Sequence, residues 1–105
     1  DHLVSTVALC GGSGDFLLDT VLGTDADVYL TSDLRHHRAS EFREQAGPDG
    51  PGLVDVAHWS AEWAWLPVLQ RKLVDALVTA SGATVDVRVS TTVTDPWTFR
   101  TKETP

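Results

Sequence analysis

Short runs of branched apolar residues recur along the chain and predict β-strands. They cover residues 3–9, 28–31, 53–56 and 84–90, and each is rich in Val, Leu or both. The first run carries no charge, which suits a strand covered on both faces. In the last run valine occupies every second position among polar residues, which is typical of a strand with one wetter face. Four strands are therefore predicted.

Apolar residues three and four positions apart predict helices between these strands. The helices cover residues 15–22, 36–45 and 60–80, and a glycine follows closely on each pattern. Pro67 would either kink the third helix or open its second part as a first-turn residue. The glycine-rich residues 10–14 predict a sharp turn from the first strand into the first helix.

The order β-α-β-α-β-α-β predicts a three-layer α/β fold. Right-handed crossovers would give a mostly parallel sheet with helices on both faces. The chain has 105 residues and its one linker-like stretch, residues 47–52, is too short to divide domains, so a single domain is expected. Because the carboxyl ends of parallel strands meet at one edge, polar motifs that follow the strands should gather there.

The strongest of these motifs is His58-Trp59-Ser60-Ala61-Glu62, directly after the third predicted strand. Residues four apart share one face of a helix, so His58 and Glu62 could offer an imidazole and a carboxylate to one metal ion. The alternative interpretation is a histidine at a helix start and a solvated glutamate, because this spacing is common by chance.

Asp33 follows the second predicted strand and could act as a ligand, as an orienting group or as a general base. It could equally do no more than cap the next helix. His37 lies four residues beyond Asp33 and could face the same edge, whereas His36 would point away. Asp33 and His37 are thus the candidates for proton transfer.

Other chemistry receives less support from the sequence. Cys10 and Ser13 could be nucleophiles, but neither lies in a nucleophile signature. The glycine-rich turn lacks the pattern of a nucleotide-binding loop, and Asp15 at the helix start would repel phosphate.

Composition and charge exclude some classes of protein. A net charge of −7 would repel a phosphate backbone, so nucleic acid is not expected as a partner. The single cysteine excludes an internal disulfide and favours the cytoplasm, and no apolar stretch is long enough to span a membrane. The chain has no Met and begins at Asp1 shortly before a strand, so we expect it to be part of a longer protein.

Four linked motifs together resemble one family. These are VALCGGSGDFLL, ADVYLTSDLRHHRA, LVDVAHWSAEW and TDPW, in that order. They resemble the C-terminal part of the GTP cyclohydrolase 1 type 2 homologues, which are Nif-three-like dinuclear metal-centre proteins. The chain departs from the family pattern at Ser32 and Ala57, where the family usually has glycine.

The resemblance implies that His58 and Glu62 ligate a centre of two divalent ions of the zinc or iron class. It also implies that Thr31, Asp33 and His37 line the same cleft. A His-His pair and an aspartate in an N-terminal half, for which this chain has no equivalent, would complete the centre in a ring-like hexamer.

The function implied is that of a metal-dependent hydrolase acting on a nucleotide-like substrate. The alternatives are a non-catalytic metal-binding or regulatory module and, more weakly, a thiol or serine hydrolase.

Overall fold

The computed structural model describes residues 3–99 and 101, and its centre is a parallel sheet of three strands. The strands are β1 (Val7–Ser13), β2 (Val28–Ser32) and β3 (Gly52–Asp55), and β2 lies between the other two. Val28 pairs with Val7 on one side and with Gly52 on the other. All three strands run in one direction, so their carboxyl ends meet at a single edge, as predicted.

Four helices accompany the sheet. They are α1 (Leu18–Leu22), which follows a 3-10 turn over Asp15–Leu17, then α2 (His36–Ala46), α3 (His58–Trp63) and α4 (Leu66–Ser81). Pro67 lies in the first turn of α4, where its missing N–H costs no hydrogen bond. Of the two predicted roles for this proline, the structure therefore shows the second.

The buried core lies on the face of the sheet that α1 and α2 cover. It consists of Leu18, Val21, Ala26, Tyr29 and Phe42. Side chains alternate along a strand, so Leu30 points to the opposite face. There it borders a cavity with Ser60 and Ala61 of α3. Helices thus flank both faces, which confirms the predicted α/β class.

The predicted fourth strand over residues 84–90 is wrong, because this segment forms neither strand nor helix. It packs along α4 instead. The Trp63 indole N–H donates to the Ser90 carbonyl at 2.9 Å, and the Gln70 amide donates to the Val87 carbonyl. Two of its carbonyls are thus bonded to side chains, and Val87 and Val89 line a cavity of about 150 Å³ together with Leu69 and Leu73 of α4.

Strand β1 also differs from its prediction. It continues through the glycine-rich stretch as far as Ser13, with a register irregularity between Leu9 and Ser13 and a positive φ of 73° at Gly12. Val7 and Leu9 are 53% and 72% exposed, so the described chain covers this strand on only one face. The absence of charge in residues 3–9 is compatible with a strand covered on both faces, but it does not show which part of a protein would cover the second face.

An ion pair joins the loops that follow β1 and β2. Both carboxylate oxygens of buried Asp15 accept hydrogen bonds from Arg35, one from its backbone N–H and the other from its guanidinium. The guanidinium hydrogen bonds lower the pKa of Asp15, against the opposing effect of burial. Asp15 therefore holds two loops together at the edge where the polar motifs gather.

Replacing Asp15 by Asn tests this ion pair. We expect the free energy of unfolding to fall by roughly 1–3 kcal/mol at neutral pH, because the Arg35 donors lose a charged partner. The folded-state pKa of Asp15 lies below its ordinary value of 3.8, so the stabilisation is present above that pH and is lost as the pH falls through the folded-state pKa. Urea unfolding of the full-length protein at about pH 7 and about pH 3 would measure the difference.

The exposed carboxyl of Asp49 provides the control, since Asp49→Asn removes the same charge away from the ion pair. An Asp15→Asn penalty that stays equal at both pH values would show that its charge contributes nothing.

None of the helices within residues 3–99 and 101 combines the length and the hydropathy needed to cross a bilayer.

Candidate metal centre

Three polar segments meet at the carboxyl edge of the sheet. Gly12 lies near the end of β1, Asp33 directly follows β2, and His58 begins α3 shortly after β3 ends. The short, parallel strands bring these positions together although they are far apart in sequence. The three segments thus lie together at the carboxyl edge of the sheet, as predicted.

His58 lies between two carboxylates. Its Nδ1 is 2.6 Å from Asp33 Oδ2, and its Nε2 is 2.8 Å from Glu62 Oε1. The Glu62 contact is the i, i+4 pair along one helix face that the spacing predicted. The Asp33 contact crosses from the loop after β2 and could not be read from spacing.

The two carboxylates raise the pKa of His58, chiefly through the Asp33 hydrogen bond and then through the one from Glu62. All three side chains are partly exposed, His58 least, at 36%. Both ring nitrogens of His58 can thus carry protons in this arrangement. A metal cation that bound at Nε2 would compete with the proton on that nitrogen.

Asp33 adopts an unusual backbone conformation, with a φ of +56°. This left-handed region is uncommon for residues other than glycine, although aspartate tolerates it better than most. The conformation does not serve helix capping, because the N-cap of α2 is Arg35 and no side-chain hydrogen bond caps that helix. The capping interpretation of Asp33 is therefore wrong, and its carboxylate contacts His58 instead.

Gly12 forms the wall of the site on the β1 side. A Cβ placed there would lie 3.5 Å from both His58 Nε2 and Glu62 Oε1, so the main chain itself approaches these two atoms. The positive φ of Gly12 further favours glycine. Sequence reasoning missed this role, although the glycine-rich stretch was the signal for it.

The other candidate residues stand apart from His58. His36 and His37 are exposed at the start of α2 and meet edge to edge, with ring centroids 5.4 Å apart. In the part of the chain that the structure describes, no hydrogen bond or ion pair joins His37 to Asp33 or His58. The Cys10 thiol contacts the Gly11 carbonyl, and Ser13 is exposed.

Ser32 is completely buried, and its hydroxyl has no hydrogen-bond partner within residues 3–99 and 101. Thr31, its buried neighbour, donates its hydroxyl to the Gly12 carbonyl at 2.9 Å. Thr31 thus fixes the main chain of the site wall, and because it is 0% exposed its own oxygen is not open to the cleft.

The donor atoms fit part of a metal centre and no more. An imidazole nitrogen and a carboxylate oxygen suit zinc and iron, and the Gly12 main chain leaves room in front of both. Within the described residues no group of three or more His, Cys, Asp or Glu side chains is arranged to hold a metal ion. A complete site would need further ligands from elsewhere.

One family model matches nearly the whole chain. The model described as Duf34/NIF3 (NGG1p interacting factor 3) matches residues 1–96 of the chain. This match covers every element of the sheet and all four helices.

Named relatives match over nearly the same region. A Mycobacterium tuberculosis protein named "GTP cyclohydrolase 1 type 2 homolog" is 45% identical over 97 residues, which cover 92% of this chain and 24% of that protein. A Streptomyces coelicolor protein of the same name is 44% identical and covers 97% of this chain and 34% of its own length. A more distant one from Clostridium perfringens is 25% identical over 99 residues. The chain therefore spans about a quarter to a third of the length of these relatives.

Proposed function

Because this chain belongs to the Duf34/NIF3 family, we propose that it is the C-terminal portion of a dinuclear metal-binding protein that hydrolyses a nucleotide-like substrate. The observation that carries the proposal is the position of His58, held between Asp33 and Glu62 at the carboxyl edge of the sheet. The relatives' name, "GTP cyclohydrolase 1 type 2 homolog", supports the substrate class.

His58 and Glu62 are the metal ligands in this proposal. Their facing atoms, Nε2 and Oε1, border the space beside Gly12. In this proposal Asp33 accepts a hydrogen bond from the Nδ1–H of His58, which favours the tautomer with an unprotonated Nε2. Nε2, which contacts Glu62 Oε1 in this structure, would then bind the metal through its lone pair. Two divalent ions of the zinc or iron class would lower the pKa of a water molecule and so make it a nucleophile at neutral pH.

Proton transfer falls to Asp33 and His37 in this proposal. Asp33 already contacts the ring that would bind the metal. His37 lies at the start of α2, on the same edge of the sheet, with an exposed imidazole.

The missing ligands would come from the rest of the longer protein, in its N-terminal half, and the sheet itself supports this. Val7, Leu9 and Val54 remain exposed on the strands, and a largely apolar cavity of about 530 Å³ lies between Leu9, Leu30 and α3. Apolar surface of this kind marks an interaction site. Assembly into a hexamer and a cytoplasmic location complete the proposal.

Metal analysis of the full-length protein tests the ligand assignment. We expect His58→Ala and Glu62→Ala each to lower the bound metal by roughly half or more, because a site that loses one ligand binds far more weakly. Inductively coupled plasma mass spectrometry after gel filtration would measure the metal per chain.

Two variants on α2 are matched controls. His36→Ala and Glu44→Gln remove the same kinds of donor at exposed positions away from His58. We expect both controls to keep the full metal content. Unchanged metal in His58→Ala and Glu62→Ala would overturn the assignment.

A second candidate function is a non-catalytic metal-binding or regulatory module. It is favoured by the partial donor set, since within the described residues no three His, Cys, Asp or Glu side chains are arranged to hold a metal ion. Incubating the metal-loaded protein with GTP separates the two: turnover supports the hydrolase, whereas full metal content without turnover supports the module. Activity that Cys10→Ala abolished would instead indicate the thiol hydrolase.

A further inference from the structure

Three of the four tryptophans lie next to the candidate metal ligand Glu62. A cleft of about 300 Å³ opens there, lined by Trp59, Glu62, Trp63, Trp65 and Leu66. We propose that this tryptophan cleft binds the planar ring of a guanine-like base. The inference rests on the proposed function, and it adds which part of the nucleotide the chain recognises and where.

The aromatic walls of the cleft are held in place before any ligand arrives. The rings of Trp59 and Trp63 stack with centroids 5.9 Å apart and planes 17° from parallel. Trp63 is fixed in turn by its hydrogen bond to the Ser90 carbonyl. Rigid aromatic faces of this kind are the usual platforms for nucleobases, because every base presents a π-face.

Trp65 adds an accessible surface. It is 50% exposed between α3 and α4, so about half of its surface is not packed within the described chain. Trp65 and Trp59 therefore both offer aromatic surface to the cleft.

Glu62 supplies the polar group that makes the cleft selective. One of its oxygens contacts His58, and a carboxylate has two oxygens with several acceptor positions. A guanine ring carries two adjacent N–H donors, which match a carboxylate. Glu62 would then face the metal on one side and the ring on the other.

The charges favour recognition of the base over recognition of the phosphates. Among the described residues that line the cleft, none is basic, and the chain carries a net charge of −7. An uncharged nucleoside should therefore bind the cleft without help from phosphate contacts.

Guanosine binding to the full-length protein, freed of metal with a chelator, tests the inference. We expect Trp59→Leu and Trp65→Leu each to raise the guanosine Kd about tenfold, which is the loss typical of a removed stacking face. Trp59→Phe keeps an aromatic ring and should restore most of the affinity. Isothermal titration calorimetry would measure these constants.

Phe16→Leu is the matched control, since Phe16 is 71% exposed and lies outside the cleft. Its Kd should equal that of the unaltered protein, and ribose 5-phosphate should not bind. Absence of guanosine binding, or the same Kd in both tryptophan variants as in the unaltered protein, would overturn the inference. So would binding of ribose 5-phosphate as tight as that of guanosine.

The metal content of the same variants keeps the two proposals apart. We expect Trp65→Leu to retain its full metal while it loses guanosine, since no side-chain hydrogen bond within the described residues joins Trp65 to His58, Asp33 or Glu62. If His58→Ala keeps its metal but the tryptophan variants lose guanosine, the metal assignment fails and the tryptophan cleft stands.

Discussion

Gly14→Ala is expected to unfold the protein or to lower its free energy of unfolding by roughly 3–5 kcal/mol. An added Cβ would overlap both the Thr31 Oγ1 and the Tyr29 hydroxyl. Neither neighbour can retreat, because Thr31 and Tyr29 are 0% and 1% exposed. The expected cost is large beside the ~5–15 kcal/mol that stabilises a typical domain.

The Gly14→Ala substitution would also disrupt two buried hydrogen bonds next to Gly14. The Tyr29 hydroxyl donates to the Gly14 carbonyl at 2.9 Å, and the Thr31 hydroxyl donates to the Gly12 carbonyl at 2.9 Å. Burial raises the pKa of Tyr29, so its phenol stays protonated and able to donate. Urea unfolding and the yield of soluble full-length protein would measure the effect.

Two glycines of β1, just before Gly14, provide a graded set of controls. A Cβ at Gly11 meets nothing within 4 Å, so Gly11→Ala should change the free energy of unfolding little. Gly12→Ala should cost about 1 kcal/mol through its positive φ. Equal stability of the Gly11 and Gly14 variants would contradict the expected overlap with Thr31 and Tyr29.

Asp33→Asn is expected to weaken metal binding by roughly 10- to 100-fold without unfolding the protein. Asparagine tolerates the left-handed backbone of Asp33, so the loop is preserved. The amide cannot provide the negative charge that stabilises the Nδ1 proton of His58, and the imidazole becomes a weaker ligand. Competition with a fluorescent zinc chelator would give the affinity of the full-length protein.

Asp55→Asn is the matched control. Asp55 Oδ1 accepts a hydrogen bond of 3.4 Å from the Leu34 N–H, in the loop that carries Asp33, and makes no hydrogen bond to His58 in the described chain. Its substitution should leave the metal affinity nearly unchanged. An equal loss in both variants would show that general negative charge, and not the Asp33 contact, supports the metal.

The spacing of apolar residues along the sequence predicted most of the helices and strands. The second and third strands and the helix over 36–45 were predicted correctly from their apolar patterns. The helical stretch over 60–80 forms two helices, with Pro67 in the first turn of the second, and the first strand lies later in the chain than predicted. The strand prediction over residues 84–90 was wrong, because alternating valines indicate one apolar face but do not indicate which surface covers that face. The segment lies along helix α4, whose Gln70 donates to the Val87 carbonyl, and no local pattern could reveal this contact.

In the candidate site, too, some contacts could be predicted from the sequence and others could not. The His58 and Glu62 contact lies within one helix and followed from spacing alone. Asp33 is 25 residues from His58, and its contact depends on the parallel order of β2 and β3 and on a left-handed backbone. The sequence places three tryptophans close to Glu62, but only the structure shows that Trp59 and Trp63 stack and that Trp65 is half exposed.

The peptide group of Gly12 beside His58 limits how this site can evolve. Side chains are exchanged by single mutations, whereas a wall made of main chain persists for as long as β1 keeps its path. Ligand preference could therefore diversify only through the opposite walls, on α3 and in the loops after β2 and β3. The β1 side of the His58 site is therefore determined by the fold, whereas its other sides can change by mutation of side chains.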